Sequence, residues 1–136
     1  ISEVPLTNCY NKIISIAVLE HAENLPEIIA RSALLLNEDG IMQHAIPTEG
    51  AFLWGVAWRL TTGISFKLRT GLSYKTFFTI EHINNAVEIL EVFKCFFQSI
   101  KIKYYPFPFF HGSCYTYIEA TKPILQNCMD YIQSNC

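Results

Sequence analysis

Apolar positions run almost without a break from Ile13 through Ile14, Ser15, Ile16, Ala17 and Val18 to Leu19. Such a run predicts a parallel strand buried on both faces. Asn24, Pro26 and Glu27 follow as cap, first-turn proline and the third-position acid of a capping box. Leu25, Ile28, Ile29, Ala33 and Leu36 then fall on one face of the helix so announced. Asn37-Glu38-Asp39-Gly40 is expected to end it, with Gly40 in the left-handed turn that stops a helix. A second apolar strand, Ile41 to Ile46, is closed by Pro47. Strand, capped helix and strand within one short stretch predict a βαβ unit with parallel neighbours, and hence the α/β class.

The period changes further on. Asn85 is placed to cap a helix whose Ala86, Ile89, Leu90, Phe93 and Phe97 recur at three and four. Cys95 is read there as a small core residue. Ile100, Ile102 and Tyr104 alternate with Lys101 and Lys103, the mark of a strand with one face in water. Another strand runs from Cys114 to Ala120. The connection, Pro106 to Gly112, is too short for a crossover, so this pair must be antiparallel. A short helix is expected between Ile124 and Cys136.

Between these halves the stretch from Ala51 to Ile80 has a different character. It carries Arg59, Lys67, Arg69 and Lys75 and no Asp or Glu, interleaved with Trp54, Trp58, Phe66, Leu68 and Leu72. This basic-aromatic insertion, 51–80, has three readings: a substrate lid, a contact with a membrane surface, or a packed subdomain. The lid is favoured, and its charge suits a phosphorylated, sugar-nucleotide or lipid-linked acceptor.

Composition narrows the class. The 136 residues, 51% hydrophobic and 16% charged, amount to one domain, too apolar for disorder. A formal charge of −2 gives no general affinity for nucleic acid, and none is expected as a partner. The chain begins at Ile1 without the pattern of a secretory leader, so a cytoplasmic fragment or processed chain is expected. Cys9, Cys95, Cys114, Cys128 and Cys136 form no paired motif and are expected to be reduced thiols. His111 and Cys114 could hold half a metal site, but no second pair accompanies them.

The order strand, helix, strand, insertion, helix, antiparallel hairpin resembles the second half of class I S-adenosylmethionine-dependent methyltransferases. The string Tyr10-Asn11-Lys12-Ile13-Ile14-Ser15-Ile16-Ala17-Val18-Leu19-Glu20-His21 is similar to the fourth-strand motif of the small-molecule (type 11-like) members: aromatic-Asp, an apolar run, then Val-Leu-Glu-His. Glu38-Asp39-Gly40-Ile41 and the strand to Pro47 resemble the following helix end and fifth strand. The resemblance spans Val4 to about Pro123. It departs at Asn11, where the family has Asp, and none of the six glycines forms the Gly-x-Gly of a cofactor turn.

The resemblance implies a Rossmann-like methyltransferase fold truncated to strands four to seven, in the order 4-5-7-6 with the last hairpin antiparallel. Residues 1–136 would then be a single partial domain, its cofactor S-adenosylmethionine and its substrate a small-molecule acceptor, for which the charge of the insertion, not the resemblance, suggests a glycan, lipid or sugar-nucleotide type. Ile16 and Ala17 would touch the cofactor. His21, with Glu20, would take the proton of the attacking group, since imidazole titrates near neutrality. Glu49, read as exposed after Pro47, and His82 would meet substrate, although Glu81-His82 also suits a helix cap. Some ubiquinone-pathway members hold a metal through Glu-x-x-Glu-His; Ala17 stands at the first carboxylate here, and no metal is expected. His44 is read as a satisfied core histidine.

Without a partner on one side, the first strand is an aggregation template. Dimerisation through that edge, or poor solubility, is expected. Two other classes stay open: a truncated domain acting as an interaction module or half of a split enzyme, and a hydrolase built on Cys114 and His111.

Overall fold

The computed structural model describes residues 10–75, 80 and 82–135. Four strands form a mixed sheet: β1 (Tyr10–Ile16), β2 (Leu36–Pro47), β3 (Phe97–Pro106) and β4 (Ser113–Pro123), in the order β1-β2-β4-β3. β1 and β2 are parallel, and β4 runs antiparallel to both β2 and β3. The helices are α1 (Leu25–Leu35), α2 (Phe52–Trp58), α3 (Ile64–Thr70), α4 (Ala86–Phe96) and α5 (Leu125–Ser134). The chain is therefore α/β, with a parallel β1-α1-β2 unit followed by an antiparallel hairpin. Cys9, Glu81 and Cys136 lie outside the described residues.

Both helix caps form, by different bonds. Asn85 makes a complete capping box: its side chain accepts from the Val87 and Glu88 amides, and Glu88 accepts from the Asn85 amide at 2.9 Å. Asn24 accepts from the Glu27 amide, but the Glu27 carboxylate takes the Asn24 side-chain amide and Arg31 instead of the backbone. The first is a box; the second is half of one.

Several boundaries differ from the periodicity; Phe97, expected in the helix, is already extended as the first residue of β3. β1 ends at Ile16 because Ala17 turns left-handed, with φ 51°, and Leu19 then drops into the core within a 3-10 turn, Leu19–His21. Nor is β1 buried on both faces: Ile13 and Ser15 are half-buried, whereas Ile14 and Ile16 are 59% and 68% exposed. α1 is not stopped by a left-handed Gly40. Leu36 becomes extended at once, its side chain fully buried, and β2 starts there. Tyr10 pairs with Leu36 and Lys12 with Ile41, so Asn11 alone faces residues 37–40 across a wide bulge. Gly40 is needed for close approach instead: a Cβ would lie 2.9 Å from the Asn37 carbonyl oxygen.

One face of the sheet carries the core. Met42 and Ile46 on β2 and Ile118 and Ala120 on β4 pack with Ile29 and Ala33 of α1, Ile89 and Phe93 of α4 and Cys128 of α5. Cys95 is exposed, not core, because it lies two residues, about 200° of helix, from the inward Phe93. Cys128 is the buried thiol, and burial pushes its pKa up to about 11. The insertion is helical, with α2 and α3 joined through a π turn, Arg59–Gly63, and Gly71 closing α3 at φ 72°. Among the described residues no helix is long and apolar enough to cross a membrane.

Candidate functional site

The two parallel strands end side by side, and the segment after each folds back over that end. After β1, the Ala17 amide still bonds the Ala45 carbonyl at 2.9 Å before the chain turns. The turn offers three carbonyls to the strap ahead of α4. Glu20 O accepts from the Ile83 and Asn84 amides, at 2.9 and 3.1 Å. The Asn84 side-chain amide donates to Leu19 O and Ala22 O, at 2.9 and 2.7 Å. These bonds fix His82 near the end of the sheet, since it precedes the anchored pair directly.

After β2, the Thr48 amide donates to Cys114 O, and the Thr48 and Thr116 hydroxyls meet at 2.8 Å. This tight exit, completed by Gly50 at φ 87°, turns Glu49 inward. Glu49 is thus 7% exposed, which corrects its expected exposure. It bonds His82 Nδ1, and both side chains are largely covered. With the carboxylate ionised, Nδ1 carries the proton and Nε2 the lone pair. Burial raises the Glu49 pKa above its ordinary value, while the bond and charge of His82 hold it down and the Glu20 carboxylate pushes it up again.

The His21 and His82 rings meet edge to face, their centroids 4.6 Å apart. Glu20 is 2% exposed, and its Oε2 has no hydrogen-bond partner. Structure therefore brings Glu20, His21, Glu49 and His82 together, although 61 residues separate His21 from His82 (82 − 21). His82 is not a helix cap, the role that Asn85 fills. Ile16 and Ala17 lie exposed at the adjoining strand end.

His44 is buried on the core face, against Phe93 at 5.0 Å between centroids. Its Nδ1 is hydrogen-bonded to Ser15 Oγ, but Nε2 has no partner, so it is only half satisfied. Burial lowers its pKa from 6.5 to about 4, and it belongs to the core rather than to the site. His111 is exposed in the 3-10 turn Phe110–Gly112. Among the described residues no three His, Cys, Asp or Glu side chains could hold a metal ion.

A cavity of about 410 Å3 opens beside the pair, lined by Trp54, Trp58, Tyr74, His82, Cys114 and Tyr115 among others. Sequence reasoning missed this use of Cys114 and Tyr115, and it missed Asn84 altogether. The Asn84-Asn85 doublet before a helix was the one available signal for Asn84. No signal linked β4 to the aromatic insertion, because they meet only in space. Compared with protein-family models and with curated proteins, the chain matches none.

Proposed function

We propose that the chain takes part in S-adenosylmethionine-dependent methyl transfer to a small-molecule acceptor. The observation that carries this reading is the meeting of Glu20, His21, Glu49 and His82 at the carboxyl ends of two parallel strands. Ligands of open α/β sheets gather there. Numbered from four, the strand order β1-β2-β4-β3 is also 4-5-7-6, as the family resemblance implies.

Ile16 and Ala17 fit the apolar part of the cofactor: an exposed side chain and an open left-handed turn form a shelf at the strand end. No Gly-x-Gly in this chain adds a cradle for the rest. When bound, the cofactor supplies an electrophilic methyl group. His21, exposed at the edge of the cluster, takes the proton from an acceptor hydroxyl or amine as it attacks. The Glu49–His82 pair beside it orients the rings and stabilises the positive charge that His21 acquires.

The test is equilibrium binding of labelled cofactor to the chain, followed by transfer of labelled methyl to candidate acceptors. His21→Ala should cut transfer by about 10²-fold or more while leaving cofactor binding unchanged. Failure of the chain to bind cofactor would sink this reading. A second reading, an interaction module or half of a split enzyme, is favoured by one observation. The sheet face bearing Ile14, Ile16 and Tyr115 is exposed, and among the described residues β1 is an edge strand, against which a second copy or the other chain of a split enzyme would pair.

A further inference from the structure

The cavity beside His82 is built from parts distant in sequence. Trp54 and Trp58 come from α2, their ring centroids 6.1 Å apart. Tyr74 stands 6.0 Å from Trp58 with the rings inclined at 56°. Pro47 and Tyr115, register partners across β2 and β4, supply the opposite wall. Thr61, Thr62, His82 and Cys114 bring polar atoms to a lining whose remaining walls are these aromatic rings with Ala57 and Pro47, a mixture common in small-molecule sites, and its 410 Å3 is a suitable size.

Charge selects among planar ligands. The guanidinium of Arg59 lies 4.9 Å from the centre of the Trp58 ring. Two adjoining cavities, of about 430 and 290 Å3, share Trp58 with the first and are lined by Arg59 and Lys75. No Asp or Glu occurs anywhere in this insertion. Behind the cavity, the Glu49 carboxylate is bonded to His82. Aromatic walls with a cationic rim attract a flat ring bearing a negative group and repel a flat cation.

We infer that this cavity is the acceptor subsite and that it takes a planar aromatic acid. Its ring lies among Trp54, Trp58 and Tyr74, its anionic group points toward Arg59, and its nucleophilic group lies past His82, on the side of His21. The assignment of the ligand as acceptor rests on the methyl-transfer reading; binding of the ligand does not.

Trp54 and Trp58 are the two tryptophans of the chain, so its intrinsic tryptophan emission reports this cavity and the adjoining ones they also line. Benzoate, benzylamine and cyclohexanecarboxylate, titrated without cofactor, separate planarity from charge. Benzoate should change the emission saturably, and the other two should bind roughly tenfold or more weakly. Arg59→Gln should weaken benzoate about two- to fivefold while leaving phenol unaffected. Circular dichroism of this exposed-site variant should match the parent. No saturable response to benzoate, equal binding of benzylamine, or equal binding of cyclohexanecarboxylate would overturn the inference. Benzoate binding unchanged in Arg59→Gln would do so too. Cofactor binding without benzoate binding removes the subsite and keeps the methyltransferase reading; benzoate binding without cofactor binding does the reverse.

Discussion

The two faces of one sheet have opposite fates. On one, Met42, His44, Ile46, Ile118 and Ala120 are at most 2% exposed beneath α1, α4 and α5. On the other, Ile14, Ile16, Tyr105 and Tyr115 are more than half exposed. The exposed face also carries Lys12, Gln43, Lys101, Lys103 and Glu119, so on β3 the charged positions mark the wet face in advance. On β1 the apolar Ile14 and Ile16 give no such mark, and only the placement of the helices decides which face is covered. Ile14, Ile16, Tyr105 and Tyr115 leave apolar surface on the exposed face.

Cutting into the covered face should have the largest consequence. Phe93 is fully buried at the point where α4 meets His44 and Phe97. Phe93→Ala should cost about 3–5 kcal/mol, read from the denaturant midpoint at unchanged slope. A loss below about 1 kcal/mol would mean that α4 is not seated as described.

His44 sharpens the contrast through pH. Its folded pKa lies near 4 against 6.5 when unfolded, so the unfolded chain binds the extra proton between those values. Stability should therefore rise as pH increases through that window and fall as pH drops toward 4, by up to about 3 kcal/mol. His44→Leu should flatten this part of the profile relative to the parent. An identical profile in the variant would show that His44 is not held neutral. Every other titratable group is common to both proteins, so the difference isolates the core histidine.

The bare face should give the smallest effect. Ile14→Thr, on an edge strand and 59% exposed, should change stability by no more than about 0.5 kcal/mol. A cost above about 2 kcal/mol would mean that this face is covered in solution, for example by a second copy, and sedimentation of parent and variant would then differ.

Local chemistry explains most of what could be read in advance. Asn85 and Glu88 close a capping box within four residues, and the Lys101–Lys103 alternation marks a strand whose second face is wet; both are short-range facts that travel with the sequence. The ends of elements are less legible. Neither Ala17 nor Leu36 carries a turn signature, and each changes conformation because its neighbour, Leu19 or Leu36 itself, has a place in the core. Glu49 reads as a solvent-facing acid because it comes just after a proline. The Thr48–Thr116 bond and the His82 partner that bury it involve pairs 68 and 33 positions apart.

The sequence by itself determined the α/β class, the parallel unit, the antiparallel hairpin and the residue types available for chemistry, because these depend on period, caps and connection length. Tertiary structure alone decided that Glu20, His21, Glu49 and His82 form one cluster, that an aromatic cavity adjoins it, and that one face of the sheet stays bare. Burial, pairing and cavity walls arise from contacts between segments far apart in the chain, and local pattern does not encode which distant segment arrives.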